Sequence, residues 1–319
     1  MVRDTYLYFL RRFTLIYDES SRTFDCDPTL NDSQVLDFCR NGYIILDGVV
    51  SDEINKKVCD YLTGDLPANP MYIPDSFQNL DFDAIRNSPE PNTIFLEEWF
   101  LKHVVMNEQL AGVMRSLLGK TVGLPIIISK HSLETPAPKQ EWHHDNDRVF
   151  GPELNYLETF YYPQDTPVEL GPTEIVAGSH IGPTNREEDN PGILTAASAG
   201  SFVIHHQSIL HRRSVSTAKG LRHMLKFDYW RTVPPERDWI FEPNFDPHNV
   251  FYGGHEVGIF VAHMYYWLCG KGDKFRVLGG QAWPWYKENT ITSSYGFEPS
   301  EGYIPDWRRT GPDGYAKPS

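Results

Sequence analysis

Two residues open the chemistry. His143 and Asp145 stand two apart in Gln140-Glu141-Trp142-His143-His144-Asp145. On a strand, side chains at that spacing point to one face, so an imidazole and a carboxylate can share a divalent metal. A third ligand must come from elsewhere. His205, His206 and His211, in SFVIHHQSILHRRSV, are the candidates. Two histidines and one carboxylate on one side of an octahedron leave three positions open. That suits ferrous iron, which must take a cosubstrate and dioxygen together. In a chain with 12 histidines the spacing alone is a weak signal. Arg222 strengthens it. It lies eleven residues past His211 on a strand-like run, with Gly171-Pro172-Thr173-Glu174 and Gly178-Ser179-His180 between the ligand groups. An arginine offers a carboxylate a bidentate fork that a lysine lacks.

Trp-His-His-Asp, then GPTEIVAGSH, then GSFVIHHQSILHRRS and GLRHMLKFDYW, resemble in order and spacing the phytanoyl-CoA dioxygenase (PhyH) family of iron(II)/2-oxoglutarate oxygenases. The resemblance spans roughly residues 31–231. It implies a double-stranded β-helix (jelly-roll) core. It also implies His143, Asp145 and His211 on Fe(II), with Arg222 on the far carboxylate of 2-oxoglutarate. Gln140 matches a position that contacts the cosubstrate in some relatives, and Thr173 is a second such candidate. Ala177 stands where the family usually has Pro in its PGSH turn. Asp145 is intact, whereas a halogenase of this superfamily has Gly or Ala there, so no halogenation is expected. The implied cofactors are Fe(II), 2-oxoglutarate and O2, with ascorbate as reductant in vitro.

The elements that must position these residues are α+β. NDSQVLDFCRNGYIIL reads as a short helix, ended by Asn41-Gly42, before the strand Tyr43–Leu46. Ser51 caps a second helix, with Ile54, Val58 and Leu62 recurring along it. Residues 95–118 read as one or two helices closed by Gly119. From about residue 121 the runs VGLPIIISKHSL, LNYLETFYY, EIVAG, GSFVIHH and RHMLKFDYW are strand-like. Helices first and short strands later point to a jelly-roll or cupin-like core with flanking N-terminal helices. One catalytic domain over 1–319 is expected. Residues 232–319 form a C-terminal extension, with a helix near 255–269, that caps the barrel or makes a homodimer contact.

The strand Leu154–Tyr162 has two faces. By family analogy one lines the pocket, and the face with Asn155, Leu157, Thr159 and Tyr161 is taken as that wall. Met224 shares Arg222's face and joins the substrate set. Lys226 and Asp228 follow on the same face. Either the strand twists outward there, or they pair or meet a polar substrate. The long loop 64–94 and part of 232–260 are expected to close over the substrate.

Composition limits the partners. A formal charge of -14 argues against nucleic acid and against anionic lipid. Four scattered cysteines without a CxxC exclude a disulfide framework and a cysteine zinc site. No signal peptide and no apolar stretch of about 18 residues is present, so the expected setting is the cytoplasm, without membrane. The leading reading is an oxygenase acting on a small molecule by hydroxylation, desaturation, cyclisation or endoperoxidation, in secondary metabolism. Two readings compete with it. One is a cupin-like isomerase or hydrolase without 2-oxoglutarate, and the other is a non-catalytic jelly-roll binding module. Arg222 argues against the first and the intact triad against the second.

Overall fold

The computed structural model describes residues 26–65, 93–125, 128–145, 150–182, 192–245 and 255–270. Helix α1 (Asp32–Asn41) opens on a capping box, in which Asn31 Oδ1 accepts from Gln34 N and Gln34 Oε1 accepts from Asn31 N. It stops at Gly42, left-handed at φ 78°, where a Cβ would overlap the His180 ring. Strand β1 (Tyr43–Leu46) and helix α2 (Asp52–Asp65) follow. Then come α3 (Glu98–Phe100), which runs into a π-turn at Leu101–Val105, and α4 (Glu108–Leu118). Asn107 caps α4, and Gly119 closes it.

The remaining strands are β2 (Ile128–Ala137), β3 (Tyr156–Tyr162), β4 (Thr173–Ile175), β5 (Ile193–Leu194), β6 (Ser201–His206), β7 (His211–Arg213) and β8 (Ser216–Trp230). Helix α5 (His255–Leu268) comes last. The strands form two antiparallel sheets, ordered β1-β6-β3-β8-β2 and β5-β4-β7. This is the α+β, two-sheet architecture expected. Two short strands, β5 and β7, escaped the reading because three residues or fewer carry no periodicity.

The larger sheet has a helix face and a barrel face. Leu157, Tyr161, Phe202, Ile204, Leu225, Phe227 and Tyr229 pack with Val35, Phe38, Val58 and Leu117 of the helices. Phe160, Tyr162, Val203 and Met224 form a separate cluster on the other face. The expected pocket wall on β3 is therefore corrected. Leu157 and Tyr161 lie under the helices, and Tyr161 Oη donates to Asn55 Oδ1 of α2 at 2.6 Å. Thr159 is buried on that same face by alternation, and Asn155 precedes the strand, exposed. The barrel wall is Glu158, Phe160 and Tyr162. Aliphatic packing against helices selected one face, and a charge partner for Glu158 on a distant strand made burial of the other tolerable.

Asp32 ties the C-terminal segment to the helices. At 1% exposure it accepts from Arg237 Nη2 (2.5 Å), Trp239 Nε1 (2.7 Å), Tyr265 Oη (2.9 Å) and Glu242 N (2.9 Å). Burial works against its charge, yet these donors hold the carboxyl below the usual range. Trp239, Met264, Tyr265 and Leu268 join the helix-side core. Most of the expected lid, residues 66–92 and 246–254, lies outside the described residues.

Candidate metal centre

The segments that carry the candidate ligands meet at one bridge. His143 N donates to His211 O and His211 N to His143 O, both at 3.0 Å. His143 and Asp145 do not sit on a continuous strand, as the spacing had suggested. A single antiparallel bridge to the first residue of β7 places them instead.

The side chains of His143, Asp145 and His211 then converge, each offering one donor atom within 4.8 Å of the others. His143 Nε2 is 4.0 Å from Asp145 Oδ1, and His211 Nε2 is 3.8 Å from Asp145 Oδ2. Both rings turn their Nδ1 outward. His143 Nδ1 donates to Glu141 O at 2.9 Å and His211 Nδ1 to Ile209 O at 3.1 Å. A carbonyl only accepts, so Nδ1 carries the proton, and each Nε2 lone pair faces the carboxylate. That donor set, two imidazoles and one carboxylate, fits a divalent first-row metal. Burial pushes His211 well below its ordinary range, so it stays neutral. Burial opposes the charge on Asp145, but the Lys226 ammonium bonded to it works the other way, and the carboxyl is held far below normal. His205 and His206, the other candidate third ligands, go elsewhere. His205 stacks edge-on against Phe160, and His206 packs beside His180 on the helix side.

Arg222 is 2% exposed on the barrel face of β8, in line with Met224 and Lys226. Its Nε and Nη2 have no hydrogen-bond partner among the described residues. Its guanidinium lies 5.6 Å from the Tyr162 ring, and Tyr162 Oη bonds Thr173 Oγ1 at 2.6 Å. Two orphaned donors inside the barrel are costly unless an anion takes them, and a carboxylate fits their fork. Gln140 lies at the same end. Its Oε1 accepts from Arg213 N at 2.9 Å, two residues past His211.

Several neighbours went unread in the sequence. His131 of β2 feels Lys226, Arg222, Asp145 and His143; burial first, then the two cations, lower it to about 3. Arg212 and Glu174 form a buried pair at 2.6 Å, with Trp142 stacked 4.1 Å from the Arg212 guanidinium. This clasp abuts His143 and His211 in the chain, one on each side of the bridge. Lys226 bonds Asp145 Oδ2 and lies 3.2 Å from Glu158 Oε1. An inward lysine beside two acidic positions was the only trace of this in the sequence.

A scan against family models matches phytanoyl-CoA dioxygenase (PhyH) over residues 38–224, more than half of the chain. The chain belongs to the PhyH family. As a PhyH-family protein it is a non-haem iron(II)/2-oxoglutarate-dependent oxygenase, an oxidoreductase whose cofactors are iron and 2-oxoglutarate. A search of curated proteins found no match. Among solved structures, the PhyH-family chain is similar to EctD from S. alaskensis with 2-oxoglutarate and 5-hydroxyectoine. Identity is 20%, coverage 65% of this chain and 77% of that one, and TM-score 0.46. It is also similar to the epimerase SnoN in complex with Fe3+, alpha ketoglutarate and nogalamycin RO (15%, 63% and 83%, 0.45). HygX from Streptomyces hygroscopicus, with nickel and 2-oxoglutarate bound, is a third (13%, 67% and 91%, 0.46). No helix among the described residues is long and apolar enough to cross a membrane.

Proposed function

We propose that this oxygenase oxidises a C–H bond of a small polar metabolite, with His143, Asp145 and His211 holding Fe(II) and Arg222 holding the distal carboxylate of 2-oxoglutarate. The observation that carries the reading is the pair of Nε2 atoms aimed at Asp145, together with the orphaned Arg222 donors on the same barrel face. When bound, iron and 2-oxoglutarate supply activation of dioxygen, one oxygen going to succinate as carbon dioxide leaves and the other serving to oxidise the substrate.

The chain's own residues bind and orient. Arg222 and Tyr162 fix one end of the cosubstrate, and Thr173 Oγ1 steadies Tyr162. Phe160, 5.5 Å from the His211 ring, excludes water beside the metal ligand. Glu158, Lys226 and Asp228 put polar groups on the barrel wall, beside the apolar Phe160, Tyr162, Ala197, Val203 and Met224. Such a wall favours a hydrogen-bonding substrate over a long acyl chain. Hydroxylation, desaturation and ring formation share this machinery.

The test is a screen of polar metabolites with Fe(II), 2-oxoglutarate and ascorbate, read by succinate. Substrate-dependent succinate supports the reading. Absence of both succinate and 2-oxoglutarate binding to the Fe(II)-loaded protein, under every condition tried, contradicts it.

A further inference from the structure

The barrel face carries a charge arrangement that metal and cosubstrate binding leave without a task. Glu158 sits in the middle of β3, 4% exposed, across from His205 in one register and Asp228 in the other. Its Oε1 is 3.2 Å from Lys226 Nζ. Its Oε2 is 3.6 Å from His205 Nδ1 and accepts no hydrogen bond among the described residues. The same Lys226 Nζ bonds Asp145 Oδ2. A second buried carboxyl, pushed well above its ordinary range by burial, therefore stands one ammonium away from the Asp145 carboxylate.

That proximity is a hazard for the chemistry. Carboxylate oxygens are good ligands for divalent first-row metals, and a glutamate reaches further than an aspartate. The site works only while three metal positions stay open for cosubstrate and dioxygen. A fourth protein ligand would fill one of them. The β3 backbone is fixed by ladders on both sides, so only the Glu158 side chain is free to move. Lysine suits the task of restraining it. One ammonium has three donors and serves two carboxylates at once, where a planar guanidinium would commit its fork to one.

We propose that Lys226 is a positioning residue that separates the two carboxylates, holding Asp145 toward the metal and keeping Glu158 off it, so that the cosubstrate positions remain open. The inference rests on the oxygenase reading of the triad.

Co(II) is the probe, because its visible absorption reports the number and kind of ligands without turnover. Wild type, Lys226→Met and Lys226→Met/Glu158→Gln are each titrated with Co(II) and then with 2-oxoglutarate. Wild type must bind Co(II) and change its spectrum with 2-oxoglutarate. Silence there sinks the oxygenase reading and this inference with it. Given that response, Lys226→Met should bind Co(II) at least as tightly, since a repelling cation is gone. Its spectrum should differ from wild type, and its apparent affinity for 2-oxoglutarate should fall about tenfold or more, as for loss of other groups that orient metal ligands. The double variant should recover that affinity to within about threefold of wild type, well inside that loss. General damage to the barrel would not be rescued by removing a second group. If Lys226→Met does not fold, Lys226→Gln, which keeps a donor for one carboxylate, carries the same comparison. A single variant that takes 2-oxoglutarate like wild type, or a double variant no better than the single, overturns the inference.

Discussion

His143 and His211 are joined through their own backbones. Each N–H donates to the other's carbonyl at 3.0 Å, and the two rings lie 4.5 Å apart. Two segments distant in the chain thus share one register, and anything that shifts β7 shifts both imidazoles. The clasp of Trp142, Arg212 and Glu174 borders this bridge on both sides.

Breaking the clasp should therefore cost stability. Glu174→Leu leaves Arg212 buried at 4% exposure without its carboxylate. Thermal or denaturant unfolding should show a loss of about 3–5 kcal/mol, and Arg212→Met/Glu174→Leu a smaller one, because the uncompensated charge is gone. An unchanged midpoint in the single variant would show that the pair does not hold the bridge.

Arg222→Lys should keep metal affinity and weaken 2-oxoglutarate binding. A point charge replaces a fork, and one charge-assisted hydrogen bond is worth roughly 1.5–3 kcal/mol, or about tenfold to a hundredfold in affinity. Calorimetry on the metal-loaded protein checks this. Equal affinity in the variant would remove Arg222 from the cosubstrate site.

Asp145→Gly should lose oxidation by at least about a hundredfold, more than removal of an outer partner of a ligand typically costs. Halide gains no oriented site from the change, so little or no halogenated product is expected. Wild-type oxidation in this variant, measured by succinate and product together, would take the carboxylate out of the ligand set.

Asp32→Ala should destabilise the protein by about 2–4 kcal/mol, since the buried Trp239 and Tyr265 donors lose their acceptor, at about 1–3 kcal/mol each. KM for 2-oxoglutarate should stay put, because this junction lies on the helix side. A large change in KM without a change in melting would place the C-terminal segment at the active site instead.

Acid should destabilise the fold through histidines buried neutral. Burial lowers His180 and His223 to about 4 each. In the unfolded chain they take up protons near pH 6.5, while the folded protein does not until near pH 4. Stability is then full above about pH 6.5 and falls as pH drops toward 4, at roughly 1.4 kcal/mol per pH unit for each such histidine. Replacing His223 by Gln should flatten this slope in pH-dependent denaturation. An unaltered slope would show that His223 does not titrate with folding.

The convergence of His143, Asp145 and His211 was legible because its parts are written locally: an HxD, a histidine on a second segment, an arginine at a fixed distance. The barrel wall was not. On β3 both faces mix apolar and polar residues, so the residues alone did not choose between them. What makes that choice is Lys226 on β8, a pairing that exists only once β3 and β8 are in register. The clasp was hidden for the same reason, since Trp142, Glu174 and Arg212 belong to three separate segments. Helix ends were easier, as Asn31, Gly42, Asn107 and Gly119 act on their own neighbours.

The central claim is that His143, Asp145 and His211 hold the iron while Arg222 holds the cosubstrate. A crystal structure with Fe(II) and 2-oxoglutarate, grown without oxygen and phased at the iron edge, tests it most directly. The account predicts one iron peak about 2.0–2.4 Å from His143 Nε2, His211 Nε2 and an Asp145 oxygen, by ordinary first-row metal bond lengths. It also predicts the distal carboxylate of 2-oxoglutarate on the Arg222 guanidinium. Iron bound away from these three residues, or a cosubstrate carboxylate held by another cation, would contradict it.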